Sequence, residues 1–273
     1  MNDGAVDIDP DAAFDWRASL SRERIFLGAC ALVFIAGSWI TIETCQPMSD
    51  GMEMPGGWTM SMAWMRMDGE SWLAAATSFL GMWVAMMVAM MMPSLVAMLL
   101  CYRRAIRRHS GRRMAGLTAI SAGAYFLVWT LAGLVVYPIG ASVAAAEMRL
   151  PALEHFVPLA GGIVLLLAGV IQLTPWKSRR LMRCREAPAC GTIVPDPRGA
   201  WRHGLRLGVD CSLCCAGLMT VLIVTGVMSV AGMAVVAAAI TAERFAYNPG
   251  WTARTIGIVI IVYGLVVIAV PMI

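Results

Sequence analysis

Three cysteines lie close together in the stretch GLRLGVDCSLCC, as Cys211, Cys214 and Cys215. Residues three and four positions apart share one face of a helix, so the three thiols would converge. Two or three thiolates make a low-coordinate site that suits Cu(I), and a fourth ligand would suit Zn(II). Cys184 and Cys190, upstream of the motif, are candidate additional ligands. A redox C-x-x-C pair and simple packing between membrane helices are the alternative interpretations.

The cysteine motif follows Asp210, at what we expect to be the start of a membrane helix. The N-terminal end of a helix carries partial positive charge, which would favour thiolates there. We expect this end to face the cytoplasm, where thiols stay reduced.

Methionine is the second unusual residue, with 22 copies in 273 residues. The stretch CQPMSDGMEMPGGWTMSMAWMRMDGESW contains Met48, Met52, Met54, Met60, Met62, Met65 and Met67. Thioether sulfur is a soft, uncharged ligand for Cu(I), and it persists in oxidising compartments where free thiols do not. The alternative is a loop on the membrane surface, with its Met and Trp side chains at the interface.

A second run of methionines follows in the stretch FLGMWVAMMVAMMMP. At 3.6 residues per turn, Met82, Met86 and Met90 form one stripe, with Met87 and Met91 on its flank. This face, which we expect to end at Pro93, predicts a path for a soft metal from the outer loop into the membrane. Methionine is also a flexible packing residue, so packing is the alternative.

The elements that must position these ligands are apolar helices, because 59% of the residues are hydrophobic and 14% are charged. A membrane-spanning helix needs about 20 mostly apolar residues. We predict an all-α, polytopic transmembrane helix bundle of about seven spans, over residues 25–42, 72–100, 117–146, 156–173, 209–242 and 256–273. The stretch 209–242 counts as two spans if it breaks near Met228 and Ser229. One long tilted helix there would give six.

The distribution of arginine predicts the orientation. Lys and Arg are enriched in cytoplasmic loops, and the most basic loops follow the second and fourth predicted spans. This places a flexible tail (residues 1–24) and a loop with Cys and Arg residues (176–208) in the cytoplasm. The Met-rich loop 43–71 then faces outward, and residues 25–273 form a single transmembrane domain. The net charge of +4 is accounted for by these loops, and no nucleic-acid surface is predicted.

A few other polar residues fall at the ends of the predicted spans. Gln172 and Glu243 would either face the bundle interior or reach the membrane interface. The three histidines are scattered and lack metal-site spacing, so we do not predict them as ligands.

Four short patterns occur in order along the chain. A W-x-x-M-x-x-A-M-M-x-P helix is matched from Met82 to Pro93, and a Y-Q-x-x-P-x-K run is matched in part by residues 171–177. A C-x-G-C-C segment is matched by the Cys211 motif, and an acidic–basic pair by Glu243 and Arg244. The ordered set resembles the predicted metal-binding integral membrane proteins of bacteria, a family defined by a domain of unknown function. The resemblance covers residues 70–265.

The chain departs from that family pattern at three positions. Arg180 stands where the family often has a cysteine, Leu213 replaces the glycine of the cysteine motif, and Asp210 replaces an aromatic residue. The resemblance implies metal binding.

Together these patterns predict a multi-pass protein of the bacterial inner membrane that binds a soft metal ion and moves or delivers it through Met and Cys ligands. Cu(I) is the predicted ion, and zinc is the alternative. Besides lipid, we expect a metallochaperone or copper-enzyme partner, or further copies of the chain. Two other functions stay open. One is a membrane thiol–disulfide oxidoreductase, and the other is a non-transporting subunit or assembly factor of a copper membrane enzyme.

Overall fold

The computed structural model describes residues 23–46, 52–54, 58–60, 62–64, 69, 71–106, 111–149, 156–186 and 196–269. Residues 1–22 of the predicted tail lie outside this part, as do Met48, Met65, Met67 and Cys190. The described residues are almost entirely helical, which confirms the all-α class.

Eight α-helices follow one another in the described part of the chain. They are α1 (Arg24–Cys45), α2 (Trp72–Ala105), α3 (Gly111–Arg149), α4 (Val157–Leu173), α5 (Pro175–Glu186), α6 (Pro197–Gly226), α7 (Val230–Phe245) and α8 (Pro249–Ala269). Between α1 and α2, the strands β1 (Met52–Met54) and β2 (Trp58–Met60) form a short antiparallel hairpin. A short 3-10 helix, Met62–Trp64, follows the hairpin.

Five of these helices are long and apolar enough to cross a membrane: α1, α2, α3, α6 and α8. A sixth span results if α4 and α5, which meet at an angle of 67°, count as one broken span. Helix α7 has 16 residues, fewer than the roughly 17 to 25 of an ordinary span. The fold is therefore compatible with a multi-pass membrane protein, and the predicted count of about seven spans is not confirmed.

The predicted break in the stretch 209–242 is present between α6 and α7. Gly226 adopts a φ of +117°, a conformation that favours glycine, and thereby ends α6. Ser229 then caps α7, because its hydroxyl accepts a hydrogen bond from the Gly232 backbone N–H at 3.1 Å. The chain therefore turns where the sequence predicted it.

Helix α6 begins well before residue 209. Asp196 caps it by accepting a hydrogen bond from the Gly199 backbone N–H at 2.7 Å. Pro197 suits the first turn because the missing N–H would be unpaired there in any case. The Asp-Pro pair is thus the signal for a helix start that the hydropathy pattern alone does not give.

Most of the predicted cytoplasmic loop 176–208 is helical, since α5 and the first turns of α6 lie within it. Lys177, Leu181 and Cys184 share one face of α5, and all three are buried. Arg179 and Arg183 lie on the exposed face. The helix therefore folds back onto the bundle and adds a lysine and a cysteine to its interior.

Close contact between α3 and α6 fixes the centre of the bundle. A side chain at Gly204 would collide with the Ser121 carbonyl oxygen, and one at Gly208 would lie 3.0 Å from the Tyr125 carbonyl oxygen. Glycine at these positions lets the two backbones approach, as is common between membrane helices. As a result, the Tyr125 side chain of α3 reaches Cys211 of α6.

Aromatic residues anchor the segment that precedes α2. The ring of Trp64 lies 5.3 Å from that of Phe79, which stacks on Trp83 at 5.8 Å. The indole N–H of Trp83 donates to the Trp129 carbonyl at 2.9 Å. These contacts fix the end of the Met-rich segment against the first turns of α2 and the facing part of α3.

Candidate metal centre

The three cysteines of α6 form one buried stripe. Cys211, Cys214 and Cys215 are 0%, 2% and 1% exposed, so they share one face of the helix as their spacing predicted. They lie in the middle of α6, however, and not at its N-terminal end. The partial charge of that end is therefore too distant to act on the thiols, because it is confined to the first turn. This part of the prediction was wrong.

The five predicted methionines of α2 are all buried inside the bundle. We term them the methionine ladder: Met82, Met86, Met87, Met90 and Met91. From first to last the helix rises about 14 Å. The ladder therefore faces neighbouring helices and not lipid. The buried methionine face also continues beyond Pro93, because α2 passes through this proline and Met98 is buried too.

The ladder and the cysteine stripe meet at one contact. The sulfur of Met91 lies 3.9 Å from the sulfur of Cys211. A metal–thiolate bond is about 2.3 Å long, so two sulfur ligands of one ion lie at most about 4.6 Å apart. The distance between Met91 and Cys211 is within this limit. One soft ion can therefore contact a ladder thioether and a thiol together.

Cys184 brings a fourth thiol to the stripe. Its thiol donates a hydrogen bond to the Asp210 carbonyl at 3.2 Å and adjoins the thiol of Cys214. Cys214 adjoins Cys215, which in turn adjoins Cys211. We term these four residues the thiol cluster. The cluster forms a row that runs from α5 to Met91, the last residue of the methionine ladder.

A buried ion pair lies beside the thiol cluster. The ammonium of Lys177 is 2.7 Å from the carboxylate of Glu243, and the two side chains are only 1% and 2% exposed. The side-chain amide of Gln172 also donates to Glu243. Lys177 further donates to the Cys214 carbonyl at 2.7 Å, which ties the pair to the cysteine stripe. Of the two placements considered for Gln172 and Glu243, the structure has the interior one.

Arg244 places a second positive charge at the cluster. One guanidinium N–H donates to the Cys211 sulfur at 2.8 Å, and another donates to the Met98 sulfur at 3.8 Å. Its Nε has no hydrogen-bond partner among the described residues, although it is buried. The described ion pairs give Arg244 no carboxylate, since Glu243 is bound to Lys177. Cys211 thus receives hydrogen bonds from both Arg244 and Tyr125.

Four methionines of the Met-rich segment 43–71 are described only by their backbone: Met52, Met54, Met60 and Met62. The hairpin pairs Met52 with Met60 and Met54 with Trp58, and Met62 begins the 3-10 helix that follows. Their prediction as ligands, like that of Met48, Met65, Met67 and Cys190, stays a prediction.

Within the described ranges, no group of three or more His, Cys, Asp and Glu side chains is arranged to hold a metal ion. A metal ion at this cluster would therefore be held by two thiols, or by thiols together with a methionine sulfur.

Three residues at the centre were not predicted to belong to it. Lys177 lies in the stretch predicted as a loop, Arg244 was noted only as half of an acidic–basic pair, and Tyr125 was unremarked within an apolar stretch. For Lys177, the spacing to Leu181 and Cys184 was an available signal, because positions i, i+4 and i+7 share a helix face. Arg244 and Tyr125 reach Cys211 only through tertiary packing, so no local pattern indicates them.

The comparisons with known proteins point to copper. The model of a family described as copper chaperone, PpoB2, matches residues 80–267, more than half of the chain. The matched segment contains the methionine ladder, the thiol cluster and the Lys177–Glu243 pair, whereas the Met-rich segment 43–71 lies before it. No curated protein and no solved structure matches the chain. The chain belongs to this copper chaperone family.

Proposed function

We propose that this member of the copper chaperone family carries Cu(I) inside a membrane-embedded helix bundle. The ion passes along the methionine ladder of α2 to the thiol cluster, from which a copper-binding partner receives it. The partner is a metallochaperone or a copper enzyme. The methionines of the segment 43–71, on the outer side of the membrane, supply the ladder with copper. The protein lies in the bacterial inner membrane, with its N-terminus in the cytoplasm.

The contact between Met91 and Cys211 carries this proposal. A copper ion bound only by thioethers keeps its positive charge, because methionine sulfur is neutral. A thiolate adds negative charge and binds the ion more strongly. Because the two sulfurs are 3.9 Å apart, the ion can bind Cys211 before it leaves Met91. At this step copper does not have to cross an apolar gap without a ligand.

The thiol cluster also offers a route beyond Cys211. Cys215 adjoins Cys211, and Cys214 adjoins both Cys215 and Cys184. Each step along this row exchanges one thiolate for its neighbour, so one ligand always holds the ion. Cys184 belongs to the short helix α5, whose opposite face is exposed and rich in arginine. This helix is the proposed point of contact with the copper-accepting partner.

Metal content tests the proposal. The full chain, purified in detergent and kept reduced, is loaded with Cu(I), washed and analysed by mass spectrometry. We expect the wild type to retain copper and the Cys211→Ser/Cys214→Ser/Cys215→Ser variant to lose it. The Cys30→Ser/Cys101→Ser variant is the matched control, because both residues lie outside the thiol cluster. It should retain copper like the wild type.

Other outcomes would count against the proposal. Equal copper in the wild type and the cysteine variant would exclude the thiol cluster as the site. Retention of zinc in preference to copper would favour a zinc site. An absence of metal together with a disulfide between Cys211 and Cys214, the C-x-x-C pair, would favour the thiol–disulfide oxidoreductase.

A further inference from the structure

We propose that Arg244 makes the thiol cluster selective for monovalent soft ions. The inference rests on the proposed function, since it concerns the same thiols. Beyond that function, Arg244 determines whether the thiol cluster favours an ion of charge +1 or of charge +2. Arg244 acts through electrostatics and is not itself a ligand.

Arg244 supplies a permanent positive charge at the ligand sulfur. Its guanidinium is not deprotonated in proteins, lies 2.8 Å from the sulfur of Cys211 and is 7% exposed. A buried charge is costly unless an opposite charge compensates it. None of the described ion pairs gives Arg244 a carboxylate, because Glu243 pairs with Lys177 and Asp210 pairs with Arg180. The compensating negative charge must come from the thiol cluster and the ion bound there.

The charge balance then selects the ion. Cys211 and Cys215 adjoin each other, and binding one monovalent ion to both thiols releases two protons to water. The resulting complex has a charge of −1, which Arg244 neutralises. A divalent ion on the same two thiolates forms a neutral complex and leaves the charge of Arg244 uncompensated in the bundle interior. Lys177 does not alter this balance, because Glu243 neutralises it at 2.7 Å.

Competition between two soft ions of different charge tests this balance. The reduced full chain in detergent is exposed to equal amounts of Ag(I) and Cd(II), washed, and analysed for both metals. We expect the wild type to retain mainly Ag(I). In the Arg244→Met variant the ratio of Ag(I) to Cd(II) should fall about 100-fold. This is the factor for two unit charges about 6 Å apart at an effective dielectric constant of about 20. Arg244→Lys keeps the positive charge, although it alters the geometry. Its ratio of Ag(I) to Cd(II) should therefore stay within about threefold of the wild-type ratio.

A second pair of variants tests the same charge without removing the arginine. Met98 lies 3.8 Å from the guanidinium, so Met98→Glu places a carboxylate beside it. We expect Met98→Glu to lower the ratio as Arg244→Met does. Met98→Gln, which has the same shape without the charge, should leave the ratio unchanged. Arg254 is an exposed arginine on α8, so Arg254→Met controls for the loss of an arginine away from the thiol cluster. This control should keep the wild-type ratio.

The outcomes separate this inference from the proposed function. If Arg244→Met and Met98→Glu both retain Ag(I) and Cd(II) in the wild-type ratio, the role of Arg244 is overturned. Copper binding by the thiol cluster is not affected by that result. Equal loss of the two metals in Arg244→Met, Arg244→Lys and Met98→Gln would also overturn it, because it would show a structural role. Retention of neither metal by the wild type would overturn the proposed function and this inference together.

Discussion

The buried pair of Lys177 and Glu243 gives a prediction whose size follows from the structure. The two charges are 2.7 Å apart and at most 2% exposed, so solvent does not screen them. Glu243→Gln removes the negative charge and leaves the ammonium of Lys177 unpaired in the interior. Removing one partner of such a pair costs about 3 to 5 kcal/mol. In a chain of this size, each kcal/mol lowers the Tm by about 2 to 4 °C, so we expect a loss of roughly 6 °C or more.

Thermal unfolding of the detergent-solubilised protein measures this loss. Asp210→Asn is the matched control, since its pair with Arg180 spans 3.5 Å and the two side chains are 31% and 26% exposed. A pair that is partly open to solvent contributes about 0 to 1 kcal/mol, so the Tm of this variant should change little. The Lys177→Met/Glu243→Gln double variant should recover most of the Tm, because no unpaired charge remains. A Glu243→Gln protein as stable as the wild type, or a double variant less stable than the single one, would refute the reasoning.

Two further predictions concern the path and the packing. The first replaces three residues of the methionine ladder by leucine: Met86, Met90 and Met91. Copper uptake into proteoliposomes should be abolished, while the fold persists because each Met-to-Leu exchange costs less than about 1.5 kcal/mol. Uptake equal to that of the wild type would show that copper does not pass along the methionine ladder. The second is Gly204→Ala, which should lower the stability by about 1 to 3 kcal/mol in thermal unfolding, because its methyl group meets the α3 backbone. In Gly217→Ala the new methyl group lies 3.6 Å from its nearest neighbour, the Ala168 carbonyl oxygen, so this variant should not be destabilised. An equal loss of stability in both variants would contradict the packing argument.

The sequence predicted those features that depend on local spacing. The period of the methionines places Met82 to Met91 on the buried side of α2, and the i, i+3, i+4 spacing places the three cysteines on one face of α6. The turn near Met228 and Ser229 follows from Gly226, whose backbone conformation few other residues adopt. In each case a short stretch of chain contains the whole physical cause.

Features that depend on contacts between distant segments could not be predicted in this way. The sequence marks Arg244 only as the basic half of an acidic–basic pair, yet α7 places it 2.8 Å from the Cys211 sulfur. Lys177 was taken for a loop residue, because the 67° bend between α4 and α5 is not visible in composition. The positive-inside rule counts charges near the ends of spans and cannot distinguish a solvated charge from a buried pair.

The contact between Met91 and Cys211 joins the thioether and thiol halves of the proposed route. X-ray absorption at the copper edge of the Cu(I)-loaded protein tests that claim most directly, because it reports which atoms bind the ion. We expect only sulfur neighbours around copper, two or three in number, with one fewer in the Met91→Leu variant. Nitrogen or oxygen ligands, or an identical spectrum in the Met91→Leu variant, would contradict it.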